Sequence, residues 1–318
     1  MFDEIYASSE SINKLNQSQV STDAIIDSVN LNYLLGKGLY FEDSSGIIFK
    51  SADLFYTRAN IAEDLDIGFD AGLFSIEKNR FGNADSDIYK GSRYGASLLY
   101  KEFIFRLGIN KFEHFSEIVP SVEYHGKYDN HSYKLEYKKQ NAMFYTYSVC
   151  PVVEEIDTHH FAISDYVAFK NKTDLWMSLI ANFYENSDLE TTFQFDWRFY
   201  QDRLFSKNFT YSLAIDGWYT AHTKQHRCFY SPDFSDSTLL RVDPQYIFNQ
   251  HIGIKGTLGT GYSATEDTRP YKYGVWIFGN INKDSSYTAG CLHSNAARLS
   301  HGPEYHYEEC TVDVDYRW

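Results

Sequence analysis

The chain ends on CTVDVDYRW, residues 310–318. Counting back from the end, Trp318, Tyr316, Val314 and Val312 fall on one side of an extended strand, while Arg317, Asp315, Asp313 and Thr311 fall on the other. Side chains alternate across a strand with period two, so this stretch has one greasy face with an aromatic rim and one charged face. Chain termini usually fray in a soluble sheet. A strand patterned through its last residue calls for something that holds the end in place.

The same alternation recurs upstream. In TTFQFDWRFY, Phe193, Phe195, Trp197 and Phe199 alternate with Gln194, Asp196 and Arg198. In LDIGFDAGL, Leu65, Ile67, Phe69, Ala71 and Leu73 alternate with Asp66, Gly68, Asp70 and Gly72. FIFRLGIN sets Phe103, Phe105, Leu107 and Ile109 against Arg106, Gly108 and Asn110. LWMSLIANF is looser: Leu175, Met177, Leu179 and Phe183 share a face, with Trp176 and Ile180 opposite. Turn-forming clusters such as KYDNHS, ENSDL, TEDTRP and NKDSS separate the runs. The spacing gives about 16 or 17 strands, longer than those of an ordinary sandwich. No βαβ rhythm or heptad intervenes.

Composition narrows the reading. Of 318 residues, 18% are aromatic, with 27 Tyr and 24 Phe, yet mean hydropathy is −0.44. No run is long and apolar enough for a membrane helix, a test that barrel strands evade because they are apolar at alternate positions. The net charge of −14 argues against nucleic acid, whose binders carry a basic stripe. Residues 1–24 are polar and acidic and read as a lead-in, helical or disordered, ahead of a barrel over 25–318. The lead-in has no basic n-region and no apolar h-region, so it does not read as a signal peptide. If the protein is exported, the expectation is the C-terminal part of something longer, or a shortened product.

Two architectures accept such strands. A soluble sandwich or propeller buries the apolar face and wets the polar one. A closed antiparallel transmembrane barrel turns the apolar face to lipid and the polar face to a lumen. Long strands, aromatics toward strand ends and charges in mid-strand favour the barrel. Closure also removes the sheet edges that lipid forbids.

Two resemblances sharpen this reading. Val312, Val314, Tyr316 and Trp318 resemble the C-terminal signal of bacterial outer-membrane proteins, which the barrel-assembly machinery reads. RCFYSPDFSDSTLL, with Tyr230, Ser231 and Pro232, resembles the Y-[FY]-S-P motif of exopolysaccharide export porins of the cellulose, poly-N-acetylglucosamine and Pel secretion type. Those are 16-stranded barrels that follow a tetratricopeptide-repeat region, with about five strands after the motif. Here five runs follow it, near 236–248, 251–262, 271–280, 284–294 and 306–318. The resemblance implies a bacterial outer-membrane location, a polysaccharide passenger, and a periplasmic repeat domain and inner-membrane synthase complex as partners. The front of the sequence departs from the family's pattern, since residues 1–24 do not read as a repeat superhelix.

Other motifs reduce to bland readings. His222, His226 and Cys228 are metal-ligand types at plausible spacing, but they lie in a polar loop and are read as that. Asp157, His159 and His160 invite a triad, yet no serine sits on a nucleophile elbow. Gly256, Gly259 and Gly261 lack the strand-then-helix context of a phosphate loop and read as small residues in a strand. Four cysteines without CxxC spacing make a disulfide framework unexpected at this length. Cys291 and Cys310 flank one turn and are read as unlinked, with a cross-strand bond as the alternative. No enzyme activity, cofactor or metal is expected.

The inward face carries the functional candidates Asp66, Asp70, Asp196, Arg198, Asp216, Asp313, Asp315 and Arg317. Acids outnumber bases among them, which predicts an acidic lumen and a neutral or cationic passenger such as a partly deacetylated amino-sugar polymer. Trp176 and Trp218 are candidates for stacking on sugar rings or packing against a plug. The alternatives are a general diffusion porin, marked by a constricting loop with opposed charge ladders, and a soluble β-rich binding protein.

Overall fold

A computed structural model describes residues 32–78, 87–170, 172–185, 188–225, 228–229, 231–249, 251–265, 267–296 and 305–318. Of the sequence motifs, Tyr230 and His226 lie outside the described residues, as does the whole of the 1–24 lead-in.

The strands are β1 (Tyr33–Asp43), β2 (Ile47–Ala62), β3 (Leu65–Lys78), β4 (Asp87–Tyr100), β5 (Phe103–Phe112) and β6 (Ser116–Tyr128). Next come β7 (His131–Asn141), β8 (Asp157–Phe169), β9 (Thr173–Tyr184), β10 (Leu189–Ser206) and β11 (Phe209–His222). The last are β12 (Ser235–Asn249), β13 (Ile252–Tyr262), β14 (Tyr271–Asn282), β15 (Ser285–Ser294) and β16 (Tyr307–Arg317). Each pairs antiparallel with its sequence neighbours, and β16 pairs with β1 to close a 16-strand barrel. The five strands expected after residue 232 are all present.

The closing seam explains the patterned terminus. Register runs from Tyr33 opposite Arg317 to Asp43 opposite Tyr307. The backbones of Trp318 and Asn32 exchange two hydrogen bonds, at 3.1 and 2.9 Å. The Trp318 indole stacks on Tyr316 and on Tyr56 of β2, with centroids 5.1 and 6.1 Å apart. The end does not fray because it is an interior strand of a ring.

The two rims differ. At the rim where β1 begins and β16 ends, strands join by tight turns such as Glu63–Asp64, Lys101–Glu102 and Asp129–Asn130. Asp64, Lys101 and Asp129 take left-handed backbone there, as two-residue hairpins demand. Loops at the opposite rim run longer, up to residues 142–156 and 223–234. Short turns at one rim and long loops at the other are the plan of outer-membrane barrels.

Exposure is inverted relative to a water-soluble fold. Leu73 is 65% exposed, Ile118 66% and Leu107 61%, whereas Asp174 is 2% and Asn110 4%. A soluble sheet would hide the first group and wet the second. The soluble alternative therefore fails on where the leucines lie.

The cysteines depart from expectation. Cys291 and Cys310 are bonded, because the β15–β16 register sets them directly opposite, with Cα atoms 4.0 Å apart on the outward face. A second disulfide joins Cys150 to Cys228 across 78 residues of sequence. No strand register produces that pair; the fold-back of residues 142–156 does.

Candidate functional site: a charge-compensated lumen under a covered mouth

The inward candidates lie in rows that the register defines. One row runs Asp313, Lys37, Asp53, Gly72, Arg93, Asn110, Glu117 across β16, β1, β2, β3, β4, β5 and β6. Its charges alternate in sign, and each is tied to a neighbour. Lys37 Nζ lies 3.7 Å from Asp313, the Arg93 guanidinium forks onto Asp53, and Asn110 donates to Glu117 at 2.6 Å. Opposite charges facing across strands stabilise a sheet where like charges would repel.

Glycine lets some of these pairs lie flat on the wall. Asp53 and Arg93 are separated by β3, and Gly72 lies between them in register. Asp70 on β3 and Arg106 on β5 join over Gly95 of β4, at 2.8 and 2.6 Å. A Cβ on Gly95 would stand 2.5 Å from the Asp70 carboxylate and 2.7 Å from the Arg106 guanidinium. Without it, the two-pronged fork crosses the strand instead of projecting into the lumen.

A second cluster centres on Arg241 of β12. Asp196 and Asp216 are directly opposite on β10 and β11, a repulsive arrangement alone. Arg241 reaches Asp196 at 2.8 Å, Asp243 at 2.9 Å and Asp216 at 3.6 Å, and Lys272 also binds Asp216. Arg198 forks onto Asp174 at 2.8 and 2.7 Å. Arg317 lies 3.6 Å from Asp315, which accepts a hydrogen bond from Ser286. Asp66 shares the inward side of β3.

Most charges on this wall are therefore paired with one of opposite sign, although acids still outnumber bases among the residues named. Arg198 and Arg317 are the cations among the inward candidates that the sequence singles out. Lys37, Arg93, Arg106, Arg241 and Lys272 also face inward, each with a partner on another strand. Alternation within β5 and β12 marks Arg106 and Arg241 as inward, and that signal was available. Trp176 sits beside Asp196 in register and Trp218 beside Gln194, so both line the inner wall. Trp276 joins them, with Lys255 Nζ 5.5 Å from its ring centre.

The far rim is covered. Between β7 and β8 the chain forms two single-turn helices, α1 (Met143–Thr146) and α2 (Cys150–Val153). Asn141 fastens their base: its side chain accepts from the Met143 N–H at 3.0 Å and donates to the Pro151 carbonyl at 3.0 Å. The segment reaches the inner ends of β1, β2, β3 and β5. Phe144 packs among Phe49, Phe74 and Phe112, with centroids 5.1 Å apart at Phe74. Tyr147 stacks on Phe41 at 4.6 Å, and Met143, Val149 and Val152 complete the buried cluster. On the other flank, Tyr145 stacks on His160 of β8 at 4.8 Å. Ser148 Oγ donates to the Cys228 carbonyl at 2.5 Å, and Cys150 is bonded to Cys228 in the β11–β12 loop. Strand alternation did not find this segment. Its mark is the break in alternation at NAMFYTYSVCPVV, where aromatics meet a Cys-Pro pair.

The remaining motifs resolve locally. His160 points inward to Asn182 at 2.7 Å while His159 points outward to Tyr137, so no triad forms with Asp157, which pairs with Lys139. His222 bonds Asp188 at 2.8 Å. Glu154 lies near Cys150 and Cys228, but bonded sulfurs have no thiolate to offer a metal. Ser231 is buried beside the loop that carries Cys228, and the Pro232 carbonyl accepts from the His222 N–H at 3.2 Å. The Gly256, Gly259 and Gly261 run lies within β13.

No family model matches this chain. No curated protein matches it by sequence. Among solved structures, a "Bacterial polysaccharide outer membrane secretin" superimposes with TM-score 0.71 at 11% identity, over 91% of this chain and 99% of the other. The "Anion-selective porin from Comamonas acidovorans" gives 0.43 at 10% identity, over 92% and 99%. Pseudomonas putida OprB in its low-pH form gives 0.39 at 9% identity, over 93% and 95%. The chain shares the 16-strand barrel fold of the first.

Proposed function

We propose that this protein is an outer-membrane channel that passes a neutral or weakly charged polysaccharide out of a Gram-negative cell, with the driving force supplied elsewhere. The observation that carries the reading is the inverted barrel: apolar side chains outside, and inside a belt of ion pairs laid flat on the wall. Lipid accepts the outer face, and the closed sheet leaves no unpaired backbone to it. The inner wall offers paired charges and hydroxyl-binding groups, with a modest excess of acids among the residues named. That suits a chain of sugar hydroxyls better than a polyanion. Trp176, Trp218 and Trp276 add faces on which sugar rings can stack. The likeness to the polysaccharide secretin supports the same passenger. A periplasmic repeat domain and a synthase complex are the partners this role calls for. Ser231 and Pro232 would belong to the export family's motif, and the terminal Tyr316 and Trp318 to the assembly signal.

The test is planar-bilayer recording on protein folded into lipid, with heat-modifiable gel migration to certify the barrel. Neutral β-linked glucans, partly deacetylated glucosamine oligomers and anionic uronic-acid oligomers are then added in turn. Block by the first two but not the third is the expected result. Equal block by uronate oligomers refutes the passenger class. Free permeation of all small solutes with no polymer block returns the general diffusion porin.

A further inference from the structure

We infer that residues Ala142–Ile156 form a lid over the loop-side mouth, and that the Cys150–Cys228 disulfide is its latch. The inference rests on the channel reading above and adds its control element. Three observations carry it. First, the segment is rooted on β7 and β8 yet packs on the inner ends of β5, β3, β2 and β1, as far as six strands round the ring from β7, so it crosses the opening. Second, its contacts with that far wall are side-chain packing: Phe144 against Phe49, Phe74 and Phe112, Tyr147 against Phe41 and Phe49, and the Arg93 guanidinium 5.8 Å from the Phe144 ring centre. Packing of this kind can part and re-form. Third, the covalent restraint falls mid-segment, on Cys150, and runs to a loop on a different pair of strands. A polymer could not leave past a segment tied at both roots and at its middle. Freed at Cys150, the segment is held between its roots by aromatic contacts and the Ser148–Cys228 hydrogen bond.

Release is a thiol–disulfide exchange with an external dithiol. Its thiolate attacks one sulfur of the pair, the Cys150–Cys228 bond breaks and a mixed disulfide forms. The second thiol then displaces that sulfur and closes the reagent into a cyclic disulfide. The dithiol supplies two electrons and two protons, and the protein is left with two thiols. Cys228 is buried and Cys150 half-buried, so attack falls on the Cys150 sulfur. The other disulfide, Cys291–Cys310, stands on the outward apolar face and serves as the control.

The experiment is single-channel recording of the folded chain, before and after a dithiol on the loop side, alongside Cys150→Ser/Cys228→Ser and Cys291→Ser/Cys310→Ser. Open probability is expected to rise on the order of tenfold in the first double variant. Dithiol should reproduce that rise in the intact protein and add nothing to the variant, and Cys291→Ser/Cys310→Ser should gate like the intact protein. Using reagent on already folded protein keeps the test alive if the variant fails to fold. An intact protein that gates identically with and without reagent, its two thiols confirmed by alkylation, overturns the latch. If neither reagent nor any variant yields conductance from certified barrels, including one carrying Phe144→Ala, the channel reading itself falls.

Discussion

Gly95→Ala tests the flat ion pair directly. The added Cβ would stand 2.5 Å from Asp70 Oδ1 and 2.7 Å from Arg106 Nη2. To reach an ordinary contact the carboxylate must retreat by about 0.9 Å, which stretches the fork to about 3.5–3.7 Å, at or just past hydrogen-bond range. Losing a charge-assisted pair costs roughly 1.5–3 kcal/mol, and wedging a methyl into a packed site costs about 1–3 kcal/mol. Part of the first loss relieves the second, so we expect a net destabilisation of about 2–3 kcal/mol. The assay is urea unfolding in lipid vesicles, followed by tryptophan fluorescence. The same substitution is then made in an Asp70→Ala/Arg106→Ala background, where the three atoms nearest the added Cβ are gone and the penalty should mostly vanish. A single variant within about 0.5 kcal/mol of the parent, or a penalty undiminished in the paired background, refutes the argument.

Other outcomes follow from the same geometry. Arg241→Gln removes the cation shared by Asp196, Asp216 and Asp243, so the lumen should become more cation-selective; a reversal potential that does not move under a salt gradient speaks against the compensated wall. Trp318→Ser strips the terminal stack on Tyr316 and Tyr56. It should cut the folded yield in cells several-fold on the order of other rim anchors, while detergent-refolded protein keeps its heat-shifted band; unchanged yield would deny the terminus a role in assembly. Cys291→Ser/Cys310→Ser opens a loop of sequence separation 19 and should cost about 3 kcal/mol in the same unfolding assay, by the chain-entropy estimate.

Alternation alone placed the strands, because in a barrel each residue's neighbours across the wall are water or lipid, and that choice is written locally at every second position. That is why the inward side of Asp70, Asp196 and Trp218, the five strands after Pro232, and the outward Val312 and Trp318 were all legible in one dimension. Partnership was not. Asp53 meets Arg93 over Gly72 because three strands share a register, and register is a relation between segments. The pairing of the lumen charges is not legible in one dimension for that reason. The covering segment and its bond to Cys228 lay further out of reach. They depend on a loop turning inward and crossing the ring, a choice made by aromatic ends of strands distant in sequence. Local pattern specified which face each side chain takes; closure of the ring decided whom it meets.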